Sequence, residues 1–143
     1  MTDPMQQATR VVQGMLAVDA FSQWLGLELV DLVQGGCTCR MTVRPEMVNG
    51  FGVAHGGISY ALADSALAFA SNQGDKVNVA IENGISYPAP VRVGDILTAV
   101  AVEESRGGRL GFYRVAVTNQ GGTAVALFQG TTYQTSTDHR ISP

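Results

Sequence analysis

The chain has 143 residues, which suffices for one domain with a buried core and excludes a modular enzyme with several catalytic domains. Nine basic residues stand against twelve acidic ones, so the net charge is −3 and we expect no nucleic-acid partner. Apolar residues make up 45% of the chain and charged residues 15%, which indicates a folded rather than a disordered protein.

The first segment has helical spacing. Val11, Val12, Met15 and Leu16 fall on one side, which predicts an N-terminal helix over residues 4–21. The opening residues lack the apolar centre of a secretory signal, and the longest charge-free span is broken by polar residues and glycines. We therefore expect no membrane segment and a cytoplasmic location.

Residues 27–43 alternate like a pair of strands, with a turn at residues 34–36. Cys37 and Cys39 then share one face of the second strand. Because a zinc site needs about four ligands and the chain has two cysteines and two histidines, we interpret both cysteines as core residues and expect no metal.

Alanine and leucine dominate residues 56–72, which predicts one long helix that is apolar on nearly all sides and buried against a curved sheet. Period-two spacing then predicts strands over residues 77–87, 95–104, 110–119 and 123–133. The last three are too closely spaced for crossover helices and should form an antiparallel meander. The predicted class is α+β, in a single domain over residues 1–143 with a frayed tail over about 136–143.

A glycine-rich loop from Asn49 to Gly57 leads into the long helix. The first N–H groups of a helix have no partner within it and lie at the positive end of its dipole. The amides of Gly56 and Gly57 could therefore stabilise the negative charge on an attacked carbonyl oxygen. Alternatively, these glycines serve only a tight turn and a close contact between helix and sheet.

Asp64 is the only charged residue between Glu46 and Asp75, and it lies in the middle of the apolar helix. Burying a carboxylate is costly unless it is paired or used. We interpret Asp64 as a catalytic base or nucleophile, rather than as a structural residue with a partner such as the Ser65 hydroxyl.

His55 and Asn49 each allow two interpretations. His55 either only bonds the loop backbone or acts in the site, where it could orient the loop or polarise a substrate carbonyl, and we favour the orienting role. Asn49 either holds a turn before Gly50 or presents its amide to a water or a carbonyl. A serine hydrolase is disfavoured because Ser59 falls inside the predicted helix rather than directly after a strand.

In combination, these residues resemble the hot-dog-fold acyl-coenzyme A (acyl-CoA) thioesterases. The resemblance spans roughly residues 15–133. Within this family, the chain looks most similar to the phenylacetate-degradation branch. The features that carry it are Met47-Val48-Asn49-Gly50, His55-Gly56-Gly57, Leu62-Ala63-Asp64 and Ala126-Leu127-Phe128-Gln129-Gly130.

The resemblance implies a helix wrapped by a five- or six-stranded antiparallel sheet, in a homodimer that often forms a dimer of dimers. It also implies cofactor-independent hydrolysis of an acyl-CoA, with phenylacetyl-CoA or a hydroxylated aryl-acyl-CoA favoured as substrate. Asp64 would activate water or attack the thioester carbon. The amide of Gly56 or Gly57 would bind the oxyanion, and Asn49 would place the water or the carbonyl.

Five further residues are candidates to bind the substrate. Ser65 stands where relatives often carry threonine, and Phe51 lies in a loop that differs among relatives. Arg92, Arg106 and Arg109 lie near predicted strand ends and could meet the phosphates of coenzyme A, or could be ordinary solvated loop charges.

Gly57 and Asp64 are seven residues apart in one helix, about 10 Å at roughly 1.5 Å per residue. An oxyanion donor and a base must each lie about 3 Å from the reacting group. If both act on one substrate, they must come from different chains of an isologous dimer. Two alternatives remain open: an enoyl-CoA hydratase or dehydratase on the same fold, and a non-catalytic acyl-CoA-binding protein.

Overall fold

The computed structural model describes residues 3–140, which form three α-helices, one short 3-10 helix and six strands. The helices are α1 (Pro4–Val18), α2 (Ala20–Leu25) and α3 (Gly56–Ser71), with the 3-10 helix at Pro45–Met47. The strands are β1 (Glu28–Val33), β2 (Gly36–Thr42), β3 (Lys76–Ser86), β4 (Ile96–Gly107), β5 (Leu110–Thr118) and β6 (Ala124–Asp138).

All six strands join one antiparallel sheet in the order β1-β2-β4-β5-β6-β3. The neighbours β4, β5 and β6 confirm the predicted meander. The long helix α3 packs against the sheet. These features confirm the predicted α+β class and hot-dog architecture.

The core lies between α3 and the inner face of the sheet. From α3 it takes Ile58, Leu62, Ala63, Ala66, Leu67, Phe69 and Ala70, which cover most of the helix circumference as its composition predicts. Cys37 and Cys39 are buried free thiols whose sulfur atoms lie 3.6 Å apart, which confirms their interpretation as core residues.

The prediction of a single helix over residues 4–21 is wrong, because the chain leaves helical geometry at Asp19 (φ −88°, ψ 84°). The Asp19 carboxylate accepts hydrogen bonds from the Ser22 N–H (3.0 Å) and hydroxyl (2.6 Å) and so caps a new helix, α2. That helix ends at Gly26, which has a left-handed φ of 74°. No described helix is long and apolar enough to cross a membrane.

The predicted frayed tail is also wrong over residues 136–140, while residues 141–143 lie outside the described part. Strand β6 continues to Asp138, five residues past the predicted end, and pairs with β3 along this length. Beyond it, the His139 N–H donates to Asp75 O (2.8 Å), and a His139 ring nitrogen bonds Asn72 Oδ1 (2.9 Å).

Strand β3 lies at one edge of the sheet, and two of its apolar residues are exposed. Val79 is 44% exposed and Ile81 57% exposed, whereas the neighbouring Asn78 is buried. A β-bulge between Ala80 and Glu82 shifts the register with β6. The single chain therefore leaves an apolar edge strand uncovered.

Candidate active site

The loop before α3 is held by backbone hydrogen bonds. The Asn49 N–H donates to Val53 O (2.8 Å), and Val48 forms an isolated antiparallel bridge with Ala54. The His55 N–H donates to Met47 O (2.8 Å). These bonds fix the point at which the chain enters α3.

His55 is the N-cap residue of α3, and its Nδ1 atom accepts a hydrogen bond from the Gly57 N–H (2.9 Å). An accepting Nδ1 requires the neutral ring with its proton on Nε2. The histidine therefore bonds the loop backbone, and by doing so it orients the start of the helix.

Gly56 presents the free amide at the start of α3. The His55 ring occupies the Gly57 N–H, whereas no acceptor within residues 3–140 bonds the Gly56 N–H. The Tyr87 hydroxyl donates to Gly56 O (2.8 Å), which holds this residue against the end of β3. Of the two predicted oxyanion donors, the geometry favours Gly56.

Asp64 is half-buried in the middle of α3, and its Oδ1 atom accepts a hydrogen bond from Asn83 Nδ2 on β3 (3.0 Å). Burial raises the pKa of the Asp64 carboxyl, and the Asn83 hydrogen bond lowers it by a smaller amount. The Ser65 hydroxyl bonds the Ser22 hydroxyl (2.9 Å), so it is not the partner of the carboxylate.

Asn49 uses its side-chain oxygen locally, because Oδ1 accepts the Phe51 N–H (2.9 Å) and closes the turn. Its Nδ2 group has no acceptor in the described part of the chain and is available to a ligand. Phe51 lies at the tip of this loop and is 92% exposed.

Of the three candidate arginines, Arg92 lies on a different loop from Arg106 and Arg109. Arg92 is exposed near the end of the loop that follows β3. Arg106 bonds Glu103 (3.2 Å) and the Tyr113 hydroxyl (3.4 Å), and Arg109 donates to Gln134 O (3.1 Å). Both lie at the β4–β5 hairpin, where these contacts already hold their guanidinium groups.

Comparisons with known proteins identify the family. The sequence profile of the thioesterase superfamily matches residues 51–126, from the loop before α3 into β6. The acyl-coenzyme A thioesterase PaaI of Escherichia coli K12 is 34% identical over 128 residues, which cover 90% of this chain and 91% of that protein. This chain belongs to the thioesterase superfamily.

Solved structures agree with this family. The structure of the E. coli PaaI protein from the phenylacetic acid degradation operon superposes with a TM-score of 0.92 at 32% identity and covers 95% of this chain and 99% of that one. A Streptococcus mutans protein solved with bound acetyl CoA has a TM-score of 0.73 at 26% identity and covers 76% and 88% of the two chains. The predicted hot-dog thioesterase family is thus confirmed.

Within one chain of this thioesterase-superfamily protein, the free amide and the carboxylate lie too far apart to act together on one carbonyl. Gly56 and Asp64 are eight residues apart in α3, about 12 Å along the axis at roughly 1.5 Å per residue. A single thioester carbonyl cannot contact both.

Sequence reasoning missed two residues of this site, Asn83 and Gly130. They are opposite each other on β3 and β6, and the Asn83 side chain lies over Gly130 toward Asp64. The alternation in β3 assigns Val79, Ile81 and Asn83 to one face that the pattern predicts to be buried. A polar residue on such a face is the signal that could have identified Asn83. Gly130 was part of the family resemblance, but its role was not assigned.

Proposed function

We propose that this thioesterase-superfamily protein hydrolyses acyl-CoA thioesters to a free acid and coenzyme A. The observation that carries the proposal is Asp64, a half-buried carboxylate whose described partner is one neutral amide. The E. coli relative named acyl-coenzyme A thioesterase and the streptococcal neighbour bound to acetyl CoA support this substrate class.

Asp64 serves as base or nucleophile in the proposed reaction. As a base, it takes a proton from water as the water oxygen bonds to the thioester carbon; as a nucleophile, it forms an anhydride that water then opens. In both routes the carbon–sulfur bond breaks and the coenzyme A thiolate leaves. The Gly56 N–H binds the oxyanion, and Asn49 Nδ2 helps place the water or the carbonyl.

We further propose that each site is shared by two subunits that pair through β3. A long edge strand with exposed apolar residues such as Val79 and Ile81 is a template for pairing with a second copy. An isologous pairing sets the two α3 helices antiparallel across the twofold axis, so Gly56 of one subunit approaches the middle of α3 in the other. The axial separation of Gly56 and Asp64 supports this arrangement.

The outer face of the sheet supports assembly of two dimers into a tetramer. Val100, Phe112 and Leu127 are each at least 41% exposed there. Exposed apolar patches of this kind mark contact surfaces.

The proposed acyl group is phenylacetyl or a hydroxylated relative, a preference supported by similarity to the protein of the phenylacetic acid degradation operon. Phe51 and Ser65 are proposed to contact the substrate. Arg92, whose guanidinium joins none of the ion pairs among residues 3–140, is the leading candidate for the coenzyme A phosphates. Arg106 and Arg109 already donate to protein groups, but each guanidinium keeps further N–H donors that could meet a phosphate.

The test is release of free thiol from a panel of phenylacetyl-CoA, 4-hydroxyphenylacetyl-CoA, and short and long straight-chain acyl-CoAs, with Asp64→Asn as the matched control. The proposal expects turnover that depends on Asp64 and is fastest for the aryl-acetyl substrates. With an enoyl-CoA added to the panel, loss of enoyl absorbance without thiol release would instead identify a hydratase. Binding of acyl-CoA without either reaction would identify a binding protein.

A further inference from the structure

We propose that Asn83 is a positioning residue for Asp64, and that residue 130 is glycine to leave room for the Asn83 amide. This inference rests on the proposed function and adds to the same site a residue that orients the Asp64 carboxylate. It is carried by the contacts around Asn83, none of which requires the partner subunit.

The hydrogen bond from Asn83 Nδ2 to Asp64 Oδ1 (3.0 Å) links the edge strand β3 to the middle of α3. It fixes one carboxylate oxygen and with it the orientation of the side chain. The other oxygen, Oδ2, is then the one that faces water or the thioester. Precise placement of a base or nucleophile governs its rate, because reacting atoms must meet within about 3–3.5 Å.

The other half of the Asn83 amide is unsatisfied. Its Oδ1 atom is buried and has no hydrogen-bond partner among the described residues. A buried carbonyl without a partner lowers stability, and leucine, which has a similar shape, would avoid this cost. Structural stability alone therefore does not explain an asparagine at this position.

Asp64 accounts for the orientation of the amide. Exchanging the oxygen and nitrogen of Asn83 would direct a carbonyl oxygen at the carboxylate, and two acceptors repel. The donor orientation satisfies Asp64 and leaves the oxygen beside Gly130. The contact to Asp64 thus decides the arrangement of the pair.

Gly130 provides the space that this arrangement needs. A Cβ atom on residue 130 would lie 2.6 Å from Asn83 Oδ1 and 2.6 Å from Leu67 Cδ1, both far inside van der Waals contact. Gly130 pairs with Asn83 across β6 and β3, so any side chain there would displace the amide or the leucine.

The hydrogen bond also acts on the charge of the carboxylate. Burial raises the pKa of Asp64, and the Asn83 bond opposes that rise and so favours the ionised form that a base or nucleophile needs. The titratable groups that face α3 are Cys37 and Cys39 on β2, Tyr113 on β5, Tyr87 after β3 through Gly56 O, Asp19 of the α2 cap through Ser22 and Ser65, the N-cap residue His55, and Tyr60 on α3 itself. Over residues 97–101 the inner face of β4 is apolar, and over residues 126–132 β6 presents apolar residues, glycine and threonine, whereas Glu103 lies further along β4 opposite Tyr113.

The experiment compares Asn83→Leu with Asn78→Leu. Asn78 is a matched control because it is a buried asparagine of the same strand whose amide donates to Lys76 O (3.1 Å) and has no contact with Asp64. Both variants lose a hydrogen bond, but only Asn83→Leu changes the carboxylate. Each is assayed by thiol release across pH with the substrate that the wild type hydrolyses fastest.

For Asn83→Leu we expect kcat to fall about tenfold or more with KM within about twofold, as for loss of an interaction that orients a catalytic group. The acidic limb of its kcat/KM profile should move to higher pH, because the pKa of Asp64 rises when the donor is lost. Asn78→Leu should keep the wild-type profile. A wild-type kcat and an unmoved acidic limb in folded Asn83→Leu would overturn the inference.

Two further measurements keep the inference testable. If Asn83→Leu does not fold, Gly130→Ala keeps the asparagine but displaces its amide, and the same shift of the acidic limb is expected. Carboxyl NMR titration of Asp64 reports its pKa without turnover. An inactive wild type would defeat the proposed function, while an unchanged Asp64 titration in the variants would defeat the role of Asn83.

Discussion

The Nδ1 atom of His55 accepts the Gly57 N–H at 2.9 Å, and this contact determines which amide at the start of α3 remains free. With Gly57 occupied, the Gly56 N–H is the donor that can bind an oxyanion. In the proposed reaction, the histidine would act on the substrate through the helix terminus that it caps.

Gly56→Pro removes this donor with little change to the helix. Gly56 is the first helical residue, where proline is tolerated, and His55 before it has the extended conformation (φ −57°, ψ 136°) that proline favours in its neighbour. We expect kcat to fall by about 10²–10³-fold, the usual loss for one oxyanion donor. Thiol release with the best acyl-CoA measures it.

Gly56→Ala is the matched control for this substitution. It places the same Cβ atom 3.1 Å from the Tyr87 ring but keeps the N–H. It should therefore retain far more activity than Gly56→Pro. Equal activity in the two variants would rule out the Gly56 amide as the oxyanion donor.

His55→Ala removes the N-cap acceptor, whereas His55→Asn replaces it with a residue that caps helices well. We expect the alanine variant to lose about 1 kcal/mol of stability, typical for a lost cap, and to lose activity because the helix start is no longer held. The asparagine variant should recover most of the stability. Chemical denaturation alongside thiol release checks both, and an alanine variant as stable as the wild type would contradict the capping role.

Asp64→Asn keeps the shape of the side chain but removes the base or nucleophile. Turnover should fall by roughly 10²-fold or more. Thermal stability should hold or rise, because a half-buried charge is lost. Near-normal thiol release from a folded Asp64→Asn protein would show that another group performs the chemistry.

The raised pKa of Asp64 gives a pH signature for stability. The native state binds this proton more tightly than the unfolded chain, so the contribution of Asp64 to stability is full below the ordinary carboxyl pKa and is lost as pH rises through the folded-state pKa. Activity should rise across the same window. The difference in thermal midpoint between Asp64→Asn and the wild type should therefore increase with pH. A constant or falling difference would contradict the raised pKa of Asp64.

Periodicity predicted much of the fold, because the apolar pattern of α3 and the alternation of β4, β5 and β6 reflect burial along a single element. It could not predict the break at Asp19. Helical periodicity allows polar residues on the exposed face of a helix, so a carboxylate that caps the next helix is not distinguished from an exposed helical residue. The extension of β6 to Asp138 also escaped prediction, because its last residues are mostly polar and exposed and owe their place to pairing with β3.

The sequence predicted those candidate site residues that differ from their immediate neighbours along the chain. Asp64 stood out because a lone charge interrupts an apolar helix, and the loop at His55 because glycines precede a helix start. The contact of Asn83 with Asp64 joins two elements across nineteen residues and depends on strand register, which a bulge in β3 shifts. The exposure of Val79 and Ile81 on β3 could not be predicted either, because alternation alone places apolar strand residues on the buried face.

Mixing Asp64→Asn with Gly56→Pro tests the shared site most directly. In a mixed dimer, one site carries both lesions and the other carries neither. Equal amounts that exchange freely give half mixed dimers, each with one intact site of two, so about a quarter of wild-type activity should return by the twofold geometry. Each parent alone, taken through the same exchange, is the control, and native mass measurement verifies that mixed dimers form. An inactive mixture that contains those dimers would contradict a site built from two chains.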